Sequence, residues 1–367
     1  MNIALVNCNV RSVPPTKSGG IEKVMNHLID GYIRRGHNVT LFGAGSSKIR
    51  PGLKLVEGAP QELESQPLTD KEKHKLNNLY TKRMGKKLIA MQHEFDIIHN
   101  HCLDSVLPIL PHLTRPFIST VHEAINFDAI DRLEKYKYFN YVSVSYSQRR
   151  TFPELNFIAN IYHGLDMKEY PHPTTPDDYM LFVGRISQQK RPHLAIQAAK
   201  RLKKKLIILG KYKDEEIEHT YYTKTFLPLL NENKRLVEWI GECDQETVVK
   251  YMNKAYVTLF PISFREPFGL AAVEAMACGS PVIAFAHGAY NETIADGTTG
   301  YLVEDLEEMV AMIKQVDAID RDACRQHVEK NFTVDRMVDQ YLNTYNKVIN
   351  PRTRYSLRFG AGGFHIF

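Results

Sequence analysis

Tyr256-Val257-Thr258-Leu259-Phe260, then Arg265-Glu266-Pro267-Phe268-Gly269-Leu270-Ala271-Ala272-Val273-Glu274, then Pro281-Val282-Ile283-Ala284-Phe285 follow one another in a single run of chain. The outer two are short apolar, β-branched segments that read as buried strands, and the middle one reads as a loop entering a helix near Phe268. Strand, helix, strand in that order is the repeating unit of a parallel sheet covered by helices. The same alternation extends in both directions. Upstream, strands are expected at Tyr179 to Gly184, Leu206 to Leu209 and Leu236 to Ile240, with helices starting at Pro192 and behind the N-cap Asp244; downstream, Tyr301 to Val303 closes the set.

The segment from His163 to Asp178 breaks the rhythm with Pro171, Pro173 and Pro176 and reads as a linker. Before it lies a second alternating set, with strands expected at Ile3 to Cys8, Asn38 to Phe42, Asp96 to His99, Phe117 to Val121, Tyr141 to Val144 and Phe157 to Ile161. Helix Ile21 to Arg35 follows the first, with Gly36 where a C-terminal cap belongs. The expected architecture is α/β: two Rossmann-like, doubly wound domains, 1–165 and 166–332, each binding ligand at its strand C-termini and facing the other across a central cleft. Beyond Asp305 the chain reads as helical to about Asn350, with 333–350 expected to pack back on the first domain. The basic, glycine-rich tail 351–367 has no periodicity and is expected to be poorly ordered.

Composition excludes the unusual classes. With 43% hydrophobic and 24% charged residues in 367, the chain is of ordinary globular type and long enough for two cores. The N-terminus lacks a basic lead and a cleavage site, and the most apolar stretch, Leu270 to Ala286, is interrupted by Glu274, Gly279 and Pro281, so a cytoplasmic protein is expected. Cys8, Cys102, Cys243, Cys278 and Cys324 lie far apart without a CxxC pair and read as small buried apolar residues, not as a disulfide framework or zinc site. A run rich in Lys and Arg from Lys71 to Lys87 reads as one helix with a solvated face; peripheral contact with anionic lipid or a phosphorylated acceptor is the second reading. No recognition motif accompanies the charge, so nucleic acid is not an expected partner.

Four patterns carry chemistry. Glu266 and Glu274 stand eight residues apart, one in the loop and one in the second turn of the helix, where free amides and the helix dipole favour a phosphate. Gly269 would allow close backbone approach. Glu266 is placed for sugar hydroxyls and Glu274 for a ribose diol, since a carboxylate has only acceptor oxygens. The plainer reading, a helix-end charge and a solvated face residue, fits poorly with a Glu274 that interrupts an apolar stretch. Second, Phe182-Val183-Gly184-Arg185 ends a strand and Lys190-Arg191-Pro192 opens a helix, so Arg185 and Lys190 can converge on a departing diphosphate. The less favoured reading makes either Lys190 or Arg191 alone a plain surface residue. Third, Thr16-Lys17-Ser18-Gly19-Gly20 offers an anion-binding loop or, more simply, a turn with Ser18 as helix cap. Fourth, His122-Glu123 ends a strand at the cleft, where an imidazole can meet a sugar hydroxyl or share in proton movement; His99, His101 and His163 read as structural.

Together with Arg34-Arg35-Gly36-His37-Asn38-Val39, Ala275-Met276-Ala277-Cys278-Gly279-Ser280-Pro281-Val282, Gly288 and Glu292, these patterns resemble the retaining glycosyltransferases of family 4 over nearly the whole chain. The resemblance implies the GT-B fold and transfer of a hexose from a nucleotide diphosphate sugar, a UDP-sugar before a GDP-sugar, to a saccharide, lipid-linked or small-molecule acceptor in carbohydrate biosynthesis. It implies that Arg185 and Lys190 hold the diphosphate and that the Phe268, Gly269 and Leu270 amides contact phosphate and sugar. Glu266 would bind the donor sugar, Glu274 the ribose, His122 the sugar from the cleft, and Glu242 would flank the base. Configuration is kept by front-face attack, the leaving phosphate accepting the acceptor's proton. No cofactor or metal is expected, because Asp320-Arg321-Asp322, although like a DxD motif, falls between helices and not after a strand. The rivals are a nucleotide-sugar epimerase, a non-catalytic nucleotide-sugar binder, and an NAD-dependent dehydrogenase whose glycine fingerprint is missing after Cys8.

Overall fold

The computed structural model describes residues 1–17, 19–213 and 216–351; Ser18 and all of the tail beyond Pro351 lie outside them. Strands β1 (Asn2–Val6), β2 (Asn38–Gly43), β3 (Leu53–Glu57), β4 (Ile97–Asn100), β5 (Phe117–Val121), β6 (Tyr141–Ser143) and β7 (Phe157–Asn160) form one sheet in the order β3-β2-β1-β4-β5-β6-β7. Strands β8 (Tyr179–Val183), β9 (Lys205–Leu209), β10 (Val237–Gly241), β11 (Val257–Phe260), β12 (Val282–Phe285) and β13 (Gly300–Val303) form a second in the order β10-β9-β8-β11-β12-β13. All strand pairs among the described residues are parallel. Each order reverses direction once, beside β1 and beside β8, and those switch points are where the crossovers part and leave a crevice at the strand C-termini.

The apolar runs become strands because helices cover them on both faces. Ile3 and Leu5 face one cluster, Ala4 and Val6 another; Leu181 and Met180 divide the second sheet in the same way. The edge strand β3 escaped the sequence reading. Its Leu53-Lys54-Leu55-Val56-Glu57 run is half-buried, carries a charge at every third or fourth position and gains its strand identity from pairing with β2.

Helix Val334–Ile349 lies against helix Gly20–Arg34 of the first domain, with Val338, Tyr341 and Tyr345 in the core of that domain. The helices approach closely at Gly31, where a Cβ would stand 2.4 Å from Val338. The chain returns over the linker by pairing Leu165 with Thr333.

The cysteine expectation fails for one pair. Cys8 and Cys102 form a disulfide, while Cys278 and Cys324 are buried thiols and Cys243 is half-buried. The cause is register: Val6 of β1 pairs with Asn100 of β4, so residues two positions further along adjacent parallel strands meet although 94 residues separate them in the chain. Helix Asp70–Met91 begins with a capping box between Thr69 and Glu72, buries Asn77, Thr81, Met84, Gly85 and Leu88, and leaves Lys71, Lys75, Lys82, Arg83 and Lys86 exposed. Among the described residues no helix is long and apolar enough to cross a membrane.

Candidate active site

Of the residues singled out by sequence, Gly19 and Gly20 after β1, Arg185 and Lys190 after β8, and Glu266 and Gly269 after β11 lie beyond strands that flank the two switch points, whereas His122 follows β5 and Glu242 the edge strand β10. Arg185 follows β8 with only Gly184 between, is exposed, and has no ion pair among the described residues. Lys190 ends the same loop, which is tied to the loop after β11 by a hydrogen bond from the Ser263 amide to the Gln189 carbonyl, 2.9 Å. That tie places Lys190 Nζ 2.6 Å from Glu266 Oε2, with both side chains mostly shielded. Arg185, Lys190 and Glu266 line one cavity of about 780 Å³ together with Gly20, Glu123 and Asn126 of the first domain. Arg185 also borders a neighbouring cavity of about 540 Å³ with Lys211, Glu242, Cys243 and Val248, so its guanidinium stands at the junction of the two.

The helix after β11 starts at Leu270, two residues later than its expected start near Phe268, and Gly269 is its N-cap with φ 82°. An L side chain is strained there, and a Cβ would lie 2.4 Å from the Tyr290 ring. Gly269 is therefore demanded by backbone conformation and by Tyr290, a stronger reason than approach to a phosphate. Phe268 is buried against His163, Tyr162 and Phe332, so only its backbone is left for a ligand.

Gly19 occupies the N-cap of helix Gly20–Arg34 without a side-chain cap bond, and Gly20 lies across the cleft from Leu270, its Cβ position 3.6 Å from Leu270 Cδ2. Gly19, Gly20, Leu270 and Glu274 line a third cavity of about 930 Å³. Glu274 is 7% exposed and no solvated face residue: its Oε1 accepts hydrogen bonds from Lys23 Nζ (2.7 Å), Tyr170 Oη (2.9 Å) and Gln245 Nε2 (3.2 Å). A buried carboxylate needs such partners to remain charged. Tyr170, buried and beside that carboxylate, has its phenol pKa pushed well above the ordinary value.

His122 is half-buried at the end of β5, stacked between His101 (5.1 Å) and His163 (5.2 Å), with its Nε2 2.8 Å from His101 Nδ1. Burial, then the neighbouring imidazoles, hold its pKa well below the usual value, so it is neutral at physiological pH. Its Nδ1 is buried without a hydrogen-bond partner among the described residues. His99 is structural, bonded to Tyr345 Oη and Thr120 Oγ1 inside the first domain. Asp320 Oδ1 caps the helix Arg321–Asn331 by accepting from the Asp322 amide, and Arg321 donates to the Asn253 and Ala255 carbonyls.

The sequence reading missed the residues that reach across the cleft. Lys23 and Tyr170 meet Glu274, and Glu64 of the first domain meets Lys211 at 2.9 Å. Glu292 of the second, which the resemblance included without a role, accepts from the Tyr146 and Ser147 amides and from Tyr162 Oη. For Lys23 a signal existed, one helical turn from Gly19 on the same face; for Tyr170 and Glu64 none did.

Two family models together span most of the chain: Glycosyltransferase Family 4 over residues 18–165 and Glycosyl transferases group 1 over residues 166–331. Spore coat protein SA of Bacillus subtilis (strain 168) is 23% identical over an alignment covering 95% of this chain and all of that protein, 100%. Among solved structures, the sucrose-phosphate synthase of Thermosynechococcus elongatus superposes with a TM-score of 0.76 at 18% identity, covering 95% of this chain and 99% of that one. Anabaena Alr3699/HepE in complex with UDP and glucose gives a TM-score of 0.69 at 18% identity, covering 95% and 100%. At such identities the likeness is one of fold, and it joins both sheets and the cleft between them.

Proposed function

This chain belongs to glycosyltransferase family 4, an enzyme family of GT-B architecture, and we propose that it moves a hexose from a nucleotide diphosphate sugar, a UDP-sugar before a GDP-sugar, to a saccharide, lipid-linked or small-molecule acceptor with retention of configuration. The observation that carries the reading is the convergence of Arg185, Lys190 and Glu266 on one cavity between the domains. The donor diphosphate lies between Arg185, Lys190 and the amides of Phe268, Gly269 and Leu270, with the ribose at Glu274 and the base toward Glu242 and Lys211. As the bond from the anomeric carbon to the phosphate oxygen breaks, negative charge builds on the phosphate, and the exposed Arg185 and the shielded Lys190 stabilise it. The acceptor oxygen attacks from the same face and its proton passes to the departing phosphate. Glu266 holds a sugar hydroxyl beside the cation-like ring. Neutral His122 stands behind the sugar site at the end of β5 and carries no charge that would oppose the developing oxocarbenium.

No metal is assigned to the reaction, because the acidic pair that resembles a metal motif sits at a helix start, where the Asp320 carboxylate caps the Asp322 amide, and not beyond a strand at the cleft. The UDP preference is supported by the shared fold with a protein crystallised with UDP and glucose. A cytoplasmic enzyme touching a membrane peripherally fits the exposed lysines of helix Asp70–Met91. In a reducing cytosol Cys8 and Cys102 would stand as two thiols.

The test is Arg185→Ala with Lys190→Ala, assayed with UDP-, GDP- and ADP-sugars and a panel of acceptors. Transfer should fall by about 10²-fold or more for each cation, the scale of losing one transition-state donor, with the melting temperature kept. Unchanged turnover would overturn the diphosphate assignment, and isomerised donor in the absence of any acceptor would make the enzyme an epimerase.

A further inference from the structure

Glu274 is a meeting point of both domains. Lys23 comes from the first turn of helix Gly20–Arg34 in the first domain, Glu274 from helix Leu270–Ala277 and Gln245 from helix Gln245–Lys254 in the second, and Tyr170 from the linker between them. Their hydrogen bonds to Glu274 all fall on one carboxylate oxygen, Oε1; Oε2 has none among the described residues. Lys23 Nζ is also 2.6 Å from Tyr170 Oη, 3.7 Å from Glu169 Oε2 and 5.1 Å from the centre of the Tyr170 ring. Its side chain is 14% exposed and that of Glu274 9%, so the pair is shielded well enough for removal of either partner to leave a costly isolated group. Both residues line the cavity of about 930 Å³ between the domains.

We propose that Lys23 is a positioning residue for the donor: from the opposite domain it holds Oε1 of Glu274 and keeps the carboxylate turned so that Oε2 is the oxygen offered to the ribose. The inference rests on the assignment of Glu274 to the ribose. Its consequence is that the ribose site is complete only when the domains are closed, since neither domain alone supplies both charges. Without Lys23, the shielded carboxylate has lost its only cation within hydrogen-bond distance and is free to turn, so Oε2 is no longer fixed where the diol needs an acceptor.

The experiment is calorimetric titration of the full chain, wild type, Lys23→Met, Lys23→Arg and Tyr170→Phe, with UDP, GDP and ADP, and with the 2′,3′-dideoxy form of whichever diphosphate binds. Lys23→Met should weaken the ribonucleotide by about tenfold, the effect of losing one hydrogen bond to a charged group, and leave the dideoxy analogue unchanged. Lys23→Arg should restore most of the loss. Tyr170→Phe, which keeps the packing, should show a smaller loss of the same kind. Equal or tighter binding by Lys23→Met, or an equal loss for ribose and dideoxyribose forms, overturns the role of Lys23 while leaving the donor site standing. If none of the diphosphates binds the wild type, the donor reading itself fails and this inference with it.

Discussion

His99, His101, His122 and His163 lie in a stack beside the cleft, and burial lowers the pKa of each; for His163 it reaches about 3. The unfolded chain exposes the same imidazoles with an ordinary pKa of about 6.5. Between the two values the unfolded state binds more protons, so the stabilising effect of keeping them neutral is complete above about pH 6.5 and is lost as pH falls below it. For His163 alone the loss between pH 7.5 and 5.5 is about 1 kcal/mol. Urea midpoints measured at those two pH values should fall in acid, and His163→Gln should reduce the difference; a midpoint that does not move with pH would mean that the imidazoles are not buried as a group. The same neutrality suits His122 to hydrogen bonding, not to charge stabilisation.

Among the helices, Val334–Ile349 has the largest structural consequence because it belongs in sequence to the second domain and in space to the first. Its apolar face enters the first core, Tyr345 Oη bonds Tyr32 Oη and His99, and Arg35 pairs with Asp335 and Asp339. Thr333 caps it, with Oγ1 accepting from the Arg336 amide. Thr333→Ala should therefore cost about 1 kcal/mol in denaturant titration, the usual effect of losing such a cap. The surface ion pairs at Arg35 should contribute less, because their acidic partners are largely exposed. A Thr333→Ala midpoint equal to that of the wild type would show that the cap bond is replaced by water at no cost.

Across the whole molecule, closure is held by carboxylates that bridge the cleft: Glu64 to Lys211, Glu274 to Lys23, and Glu292 to the Tyr146 and Ser147 amides. Burial raises the Glu64 pKa, but the hydrogen bond from Lys211 and the Arg11 charge lower it more, to about 2. It is thus ionised throughout the range in which the histidines titrate, and its contribution is lost only as pH falls from the ordinary carboxylate range toward about 2. With both side chains partly exposed, the Glu64–Lys211 pair contributes at most about 1 kcal/mol, enough to shift an open–closed equilibrium several-fold but not to lock it. Small-angle scattering should give Glu64→Gln a larger radius of gyration than the wild type at low salt. The two should converge at high salt, where the pair is screened. Equal radii at low salt would assign closure to the other bridges.

Local order was legible because it depends on neighbours in the chain. The apolar runs at Phe117 to Val121 and Tyr179 to Val183, the cap at Asp244, and the pairing of a strand end with Gly184-Arg185 or of a helix start with Gly269 all follow from spacing within a few residues. The strand β3, the Cys8–Cys102 bond and the partners of Glu274 do not, because each depends on which distant segment arrives beside it. By itself the sequence determined two parallel sheets and the residue types that meet at their C-terminal edges, since periodicity and backbone chemistry act at short range. Only the tertiary structure decided which charges face one another across the cleft, because strand register and domain packing place them, and neither is written in any single stretch of chain.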